Sequence, residues 1–138
     1  MIIARASAPD IRIDTVMKKI IIIEDETIIS FSYRLQLERM GFEVIGTARS
    51  TDEAEELLRD ERPDLIIMDI YLKGEKNGLE LAQEIHATDP IPILFLTAST
   101  KPEVVAAIHE LEGCNYLPKP INSDSLEDVL QRFAQSKN

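Results

Sequence analysis

From Lys18 onward, short apolar runs alternate with longer segments in which apolar positions recur every three or four residues. That alternation predicts five βα units built around a parallel sheet. The first run, Ile20–Ile23, leads into a helical segment from about Thr27 to Met40, and Gly41 stands where a helix usually stops. Phe42–Ala48 reads as the second strand. Ser50-Thr51-Asp52-Glu53 has the spacing of a capping box and opens a helix with Ala54, Leu57 and Leu58 on one face, ended by Arg62-Pro63. Asp64-Leu65-Ile66-Ile67-Met68 is apolar enough for a strand covered on both faces, and it ends at Asp69. After a loop holding Gly74, Asn77 and Gly78, a third helix is expected from Leu79 to about His86. Pro90 and Pro92 set up a fourth strand, Ile93–Leu96, with Thr97 at its end. Thr100-Lys101-Pro102-Glu103 again has capping-box spacing, and Val104, Ala107, Ile108 and Leu111 fall on one helical face that Gly113 terminates. Asn115–Leu117 gives a short fifth strand, and Leu126, Val129, Leu130 and Phe133 line the last helix.

Residues 1–17 have no sustained period and read as an extension, with Met17 as an alternative start; 18–135 form one domain and 136–138 a tail. No residues remain for a second domain in a chain of 138. Charge narrows the range of partners. Twenty-five acids against fifteen Lys and Arg give −10, which argues against direct binding of nucleic acid. Cys114 has no second cysteine to pair with and reads as a small buried hydrophobe, in keeping with a reducing cytoplasm. No apolar run approaches the roughly 18 residues of a membrane-spanning helix, and the amino terminus lacks the features of a signal peptide, so a cytoplasmic location is expected. His86 and His109 have no partners at ligand spacing and read as surface helix residues.

In an open parallel sheet the ligand site lies beyond the carboxyl ends of the strands. There the chain delivers Glu24 and Asp25, then Asp69, Thr97 and Lys119. Three carboxylates in one place repel each other unless a cation joins them, and magnesium suits hard oxygen ligands with room left for a substrate phosphate. An aspartate can accept a phosphoryl group covalently, and such a transfer depends on positioning and on neutralising the phosphoryl oxygens.

These residues carry a resemblance. From about Lys18 to Phe133 the chain resembles the receiver domain of two-component response regulators, of the stand-alone single-domain kind. The matching elements are Glu24-Asp25-Glu26, Met68-Asp69-Ile70, Leu96-Thr97-Ala98 and Tyr116-Leu117-Pro118-Lys119-Pro120, in order at successive strand ends. The resemblance implies a doubly wound α/β fold of the flavodoxin-like (βα)5 type, with five parallel strands in the order 2-1-3-4-5. It also implies that a sensor histidine kinase phosphorylates Asp69, and that Glu24, Asp25, Asp69 and the backbone carbonyl of Tyr71 hold Mg2+, with Mn2+ as a substitute. Lys119 and Thr97 would grip the phosphoryl oxygens as the catalytic residues of this self-directed transfer, the protein being a signalling phosphoacceptor rather than an enzyme with a separate substrate. Thr97 and Tyr116 would form the switch that alters the face of the fourth helix, fifth strand and fifth helix. That face would signal to a downstream protein or phosphotransfer partner, or make a homodimer, without contact to nucleic acid or membrane.

Two features depart from the family pattern: Glu24, where aspartate is frequent, and the somewhat long Gly74–Gly78 loop. The competing readings are weaker. A pseudo-receiver acting as a protein-interaction module uncontrolled by phosphorylation usually lacks the acceptor or the lysine, and both are present. An aspartyl phosphatase needs a general acid two residues after its nucleophile, where this chain has Tyr71. A flavodoxin-like cofactor binder needs a phosphate loop after the first strand, where Glu24-Asp25-Glu26 would repel the ligand.

Overall fold

The computed structural model describes residues 18–72, 74–98 and 101–135. The expected extension over 1–17, the tail at 136–138 and Thr100 lie outside the described residues. In chain order the elements are β1 (Lys19–Ile23), α1 (Thr27–Arg39), β2 (Glu43–Ala48), α2 (Thr51–Asp60), β3 (Leu65–Met68), α3 (Gly78–Thr88), β4 (Ile93–Thr97), α4 (Pro102–His109), β5 (Cys114–Pro118) and α5 (Ser123–Gln135). All pairings are parallel and the strand order is 2-1-3-4-5, as the resemblance implied.

The apolar runs are continuous because the central strands are covered twice. Successive side chains of a strand face opposite sides, and Ile20 to Ile23 are all fully buried. Ile21, Ile23, Ile66, Met68 and Phe95 pack on one side with Ala54 of α2, Leu81 of α3 and Ile108 of α4. Ile20, Ile22, Ile67, Leu94 and Leu96 pack on the other with Tyr33 and Leu37 of α1 and Leu126 and Leu130 of α5. Two helices on one face and three on the other make the sheet doubly wound, and leave the carboxyl ends of the strands open.

Helix starts differ from expectation at three helices, each for a local reason. At α2 the Ser50 hydroxyl accepts from the Glu53 N–H, but Glu53 Oε1 accepts from Arg49 N rather than closing on Ser50. At α3 a full capping box joins Asn77 and Glu80, so the helix starts at Gly78 and runs to Thr88, longer than its apolar pattern suggests. At α4 the N-cap is Lys101, whose side chain makes no capping hydrogen bond, one residue after Thr100; Pro102 is the first helical residue, where its missing N–H costs nothing.

Candidate functional site

β1 and β3 lie side by side, with Ile23 opposite Met68, so the residues that follow them emerge together. The ladder continues one step beyond the strands: Asp69 N donates to Ile23 O (3.0 Å), Glu24 N to Ala48 O (2.9 Å) and Lys119 N to Thr97 O (2.8 Å). Those bonds fix the backbone under each polar side chain. On this base Lys119 Nζ lies 3.2 Å from Glu24 Oε1 and 3.1 Å from Asp69 Oδ2, bridging the two acids. The remaining carboxylate oxygens are also held, Asp69 Oδ1 by the Tyr71 N–H (3.1 Å) and Glu24 Oε2 by the Glu26 N–H (3.1 Å).

Glu24, Asp25 and Asp69 each offer an oxygen within 4.8 Å of the others. Glu24 is only 2% exposed, and burial raises its pKa, against the opposing pull of the Glu26 N–H and the Lys119 charge and with added repulsion from Asp69. For Lys119 burial works against the ammonium, but its hydrogen bond and charge interaction with Asp69, and then Glu24, outweigh burial and raise its pKa. Three hard oxygen donors with one ammonium leave negative charge uncompensated, and this donor set fits a divalent cation such as magnesium.

The other expected residues fall around this centre. Thr97 is fully buried at the end of β4, beside Pro118 in register. Tyr71 is exposed next to Asp69. Tyr116 pairs with Phe95, is half-buried, and touches the ring of His109. His86 is less superficial than expected: half-buried, its Nε2 lies 2.8 Å from Ile91 O and 3.7 Å from Cys114 Sγ. Burial raises the thiol pKa of Cys114 to about 11, which keeps it protonated and unreactive at neutral pH.

Several contributors were not legible in the chain. Gly78 reads there as a loop residue, yet a Cβ on it would lie 2.2 Å from Asp69 O, so the close approach of α3 to the end of β3 depends on its absence. Gly78 N and Leu72 N both donate to Ile70 O (2.7 and 3.1 Å), pinching the loop shut beside Asp69. Lys76, at the tip of that loop, pairs with Glu55 of α2 and Glu84 of α3, each at 2.6 Å, which gives the extra loop length a fixed anchor. Tyr33 is buried close enough to feel the charges of Lys119, Glu24 and Asp69, though burial is the main cause of its raised pKa. Beside it a groove of about 560 Å³, lined by Ile29, Tyr33, Gln36, Ala98, Lys119 and Ile121, opens between α1 and the loop after β5. Ile28, Phe31 and Leu35, at spacings of three and four, leave an exposed apolar stripe along α1.

With the site assembled, the comparisons decide the family. The family model described as "Response regulator receiver domain" matches residues 20–131. The chain belongs to the response regulator receiver family. It is 36% identical to the transcriptional regulatory protein AfsQ1 of Streptomyces coelicolor over 111 residues, covering 80% of this chain and 48% of AfsQ1. It is 32% identical to the transcriptional regulatory protein PdtaR of Mycobacterium tuberculosis over 116 residues, covering 84% of this chain and 56% of PdtaR. The receiver chain thus spans about half the length of these relatives. Among solved structures, a two-component response regulator from Clostridium difficile matches with a TM-score of 0.81 over 88% of this chain and 99% of that one; at 24% identity this likeness speaks for the fold. Receiver domains are signalling phosphoacceptors that generally bind Mg2+ and interact with histidine kinases and downstream partners. Among the described residues no helix is long and apolar enough to cross a membrane.

Proposed function

We propose that this receiver domain accepts a phosphoryl group on Asp69 from a histidine kinase and relays the change through the face formed by α4, β5 and α5. The observation that carries the reading is the Lys119 ammonium bridging Glu24 and Asp69 at the end of the central strands, with Asp25 completing the carboxylate cluster. A carboxylate oxygen of Asp69 attacks the phosphorus of the donor, whose phosphoryl bond to its leaving group breaks as the new one forms. Glu24, Asp25, Asp69 and the Tyr71 carbonyl would hold the divalent cation, and Mg2+ there would neutralise the phosphoryl oxygens and the repulsion among the acids. Lys119, already 3.1 Å from Asp69, follows the charge onto the phosphoryl group, and the buried Thr97 hydroxyl supplies a further hydrogen bond.

The apolar stripe of Ile28, Phe31 and Leu35, beside the groove that opens on Lys119, supports α1 as the surface on which the donor protein docks. Movement of Thr97 toward Asp69 would empty space behind β4, and Tyr116, on the adjacent strand, has an aromatic body suited to it. Incubation with acetyl phosphate and magnesium, followed by intact mass measurement, tests the acceptor. Wild type should gain one phosphoryl group only with the metal, and Asp69→Asn should gain none. Equal labelling of Asp69→Asn would place the chemistry elsewhere.

A further inference from the structure

The switch reading requires two positions for Tyr116, and one contact in the structure distinguishes them. α4 joins the carboxyl end of β4 to the start of β5, so it runs antiparallel to both strands. Its first turn lies at the Thr97 end of the sheet, and its last turn, which carries His109, at the opposite end. Tyr116 sits between, opposite Phe95 and two residues short of the register of Thr97. Its ring rests against His109, with centroids 6.0 Å apart and planes inclined by 49°, inside the range of a tilted aromatic pair. The aromatic side chain therefore finds its ring partner at the end of α4 away from the phosphoacceptor. His109 is itself exposed and its neighbour Ile108 is fully buried, so the imidazole is held from a fixed helix while contributing little to the core.

We propose that His109 is a positioning residue for the switch: it supports Tyr116 in the position remote from Thr97 and so sets how readily the domain passes to its phosphorylated arrangement. The proposal rests on the reading of Thr97 and Tyr116 as the switch pair. A ligand that favours one of two arrangements binds more tightly when the support of the other is removed, by the factor that the support had contributed. For a tilted ring pair that factor is about two- to tenfold, with an exposed pair toward the lower end.

Two measurements test it. In ligand-free protein, NMR couplings report the χ1 rotamer of Tyr116. One rotamer should dominate in wild type and in His109→Phe, which keeps a ring, while His109→Ala should show a mixture. An unchanged single rotamer in His109→Ala overturns the proposal whatever the phosphorylation chemistry. In the second measurement the affinity for beryllofluoride with magnesium is compared across His109→Ala, Tyr116→Ala and the double variant. His109→Ala should bind about two- to tenfold more tightly than wild type, and the gain should vanish in the Tyr116→Ala background. The same gain without Tyr116, or no gain with it, refutes the coupling. If wild type failed to bind beryllofluoride at all, the phosphoacceptor reading would fall, and the rotamer measurement would still decide the role of His109.

Discussion

Gly78→Ala puts a single methyl group where α3 meets the end of β3. The new carbon would lie 2.2 Å from Asp69 O, 3.1 Å from Asp69 C and 3.0 Å from Ile70 Cα. All three are backbone atoms of the strand end, so no flexible side chain can swing aside and the helix or the strand must shift. Overpacking of this kind costs about 1–3 kcal/mol. Alanine recovers up to about 0.5–1 kcal/mol over glycine within a helix, less at a first helical position. The net loss should be about 1–2 kcal/mol, or about 4–8 °C in melting midpoint for a domain of this size. Gly41→Ala is the control: Gly41 has φ +97° with open space around it, so alanine there meets left-handed strain of about 1–2 kcal/mol at the end of α1 remote from the site. Thermal unfolding read by circular dichroism, with and without magnesium, separates the two. Both variants should lose stability, but only Gly78→Ala should also lose magnesium-dependent stabilisation and labelling by acetyl phosphate, because only there does the shift reach Asp69. A Gly78→Ala protein that melted with wild type and kept its full response to magnesium would refute the close-approach argument.

Glu24→Gln tests the burial of charge. Because burial raises the Glu24 pKa in the folded state, the stabilising contribution of this group is complete below its ordinary value of 4.5 and is lost as pH rises through the raised folded value. Metal-free Glu24→Gln should therefore melt above wild type at pH 7, with the difference shrinking near pH 4, and a lower melting point at pH 7 would contradict the sign. Ser50→Ala removes the hydroxyl that accepts from Glu53 N at 3.2 Å, and should cost about 1 kcal/mol in urea unfolding with an unchanged slope, while Ser50→Asp retains most of it.

The central strands were legible because they are unbroken apolar runs covered on both faces, as the full burial of Ile20 to Ile23 and of Ile66 to Met68 bears out. Helix ends were legible only where a local residue decides them. Gly41 and Pro63 close α1 and α2 as expected. The start of α3 was set back one residue because Asn77-Gly78 resembles turn chemistry until the Asn77 side chain is seen to bond Glu80 N. At the site, the residues with charge or a hydroxyl at strand ends could be picked out, because topology alone brings strand ends together. Gly78 could not, since its role is an absence of volume against the Asp69 backbone. Nor could Lys76, whose partners Glu55 and Glu84 belong to two different helices. His109 is a surface helix residue as expected, and its ring contact with Tyr116 of β5 leaves no mark in the sequence.

The carboxylate site is also a consequence of folding in a stricter sense. Lys119 meets Glu24 across 95 positions of sequence and Asp69 across 50, so the unfolded chain has no cluster at all. Formation of the parallel sheet forces Glu24, Asp25 and Asp69 together, and Lys119 is the ammonium that bridges Glu24 and Asp69. The repulsion is thus imposed by the hydrophobic layers on either side of β1 and β3, whose burial is large enough to hold the acids at that distance. Any cation that binds the assembled cluster and not the open chain must stabilise the fold by mass action. In the proposed transfer a phosphoryl group would add negative charge at the same point, and Lys119, whose ammonium spends two hydrogen bonds on Glu24 and Asp69, has a third N–H to direct to it. Because Lys119 directly follows β5, a change of charge on Asp69 in the proposed transfer would act on the end of that strand as well as on Thr97.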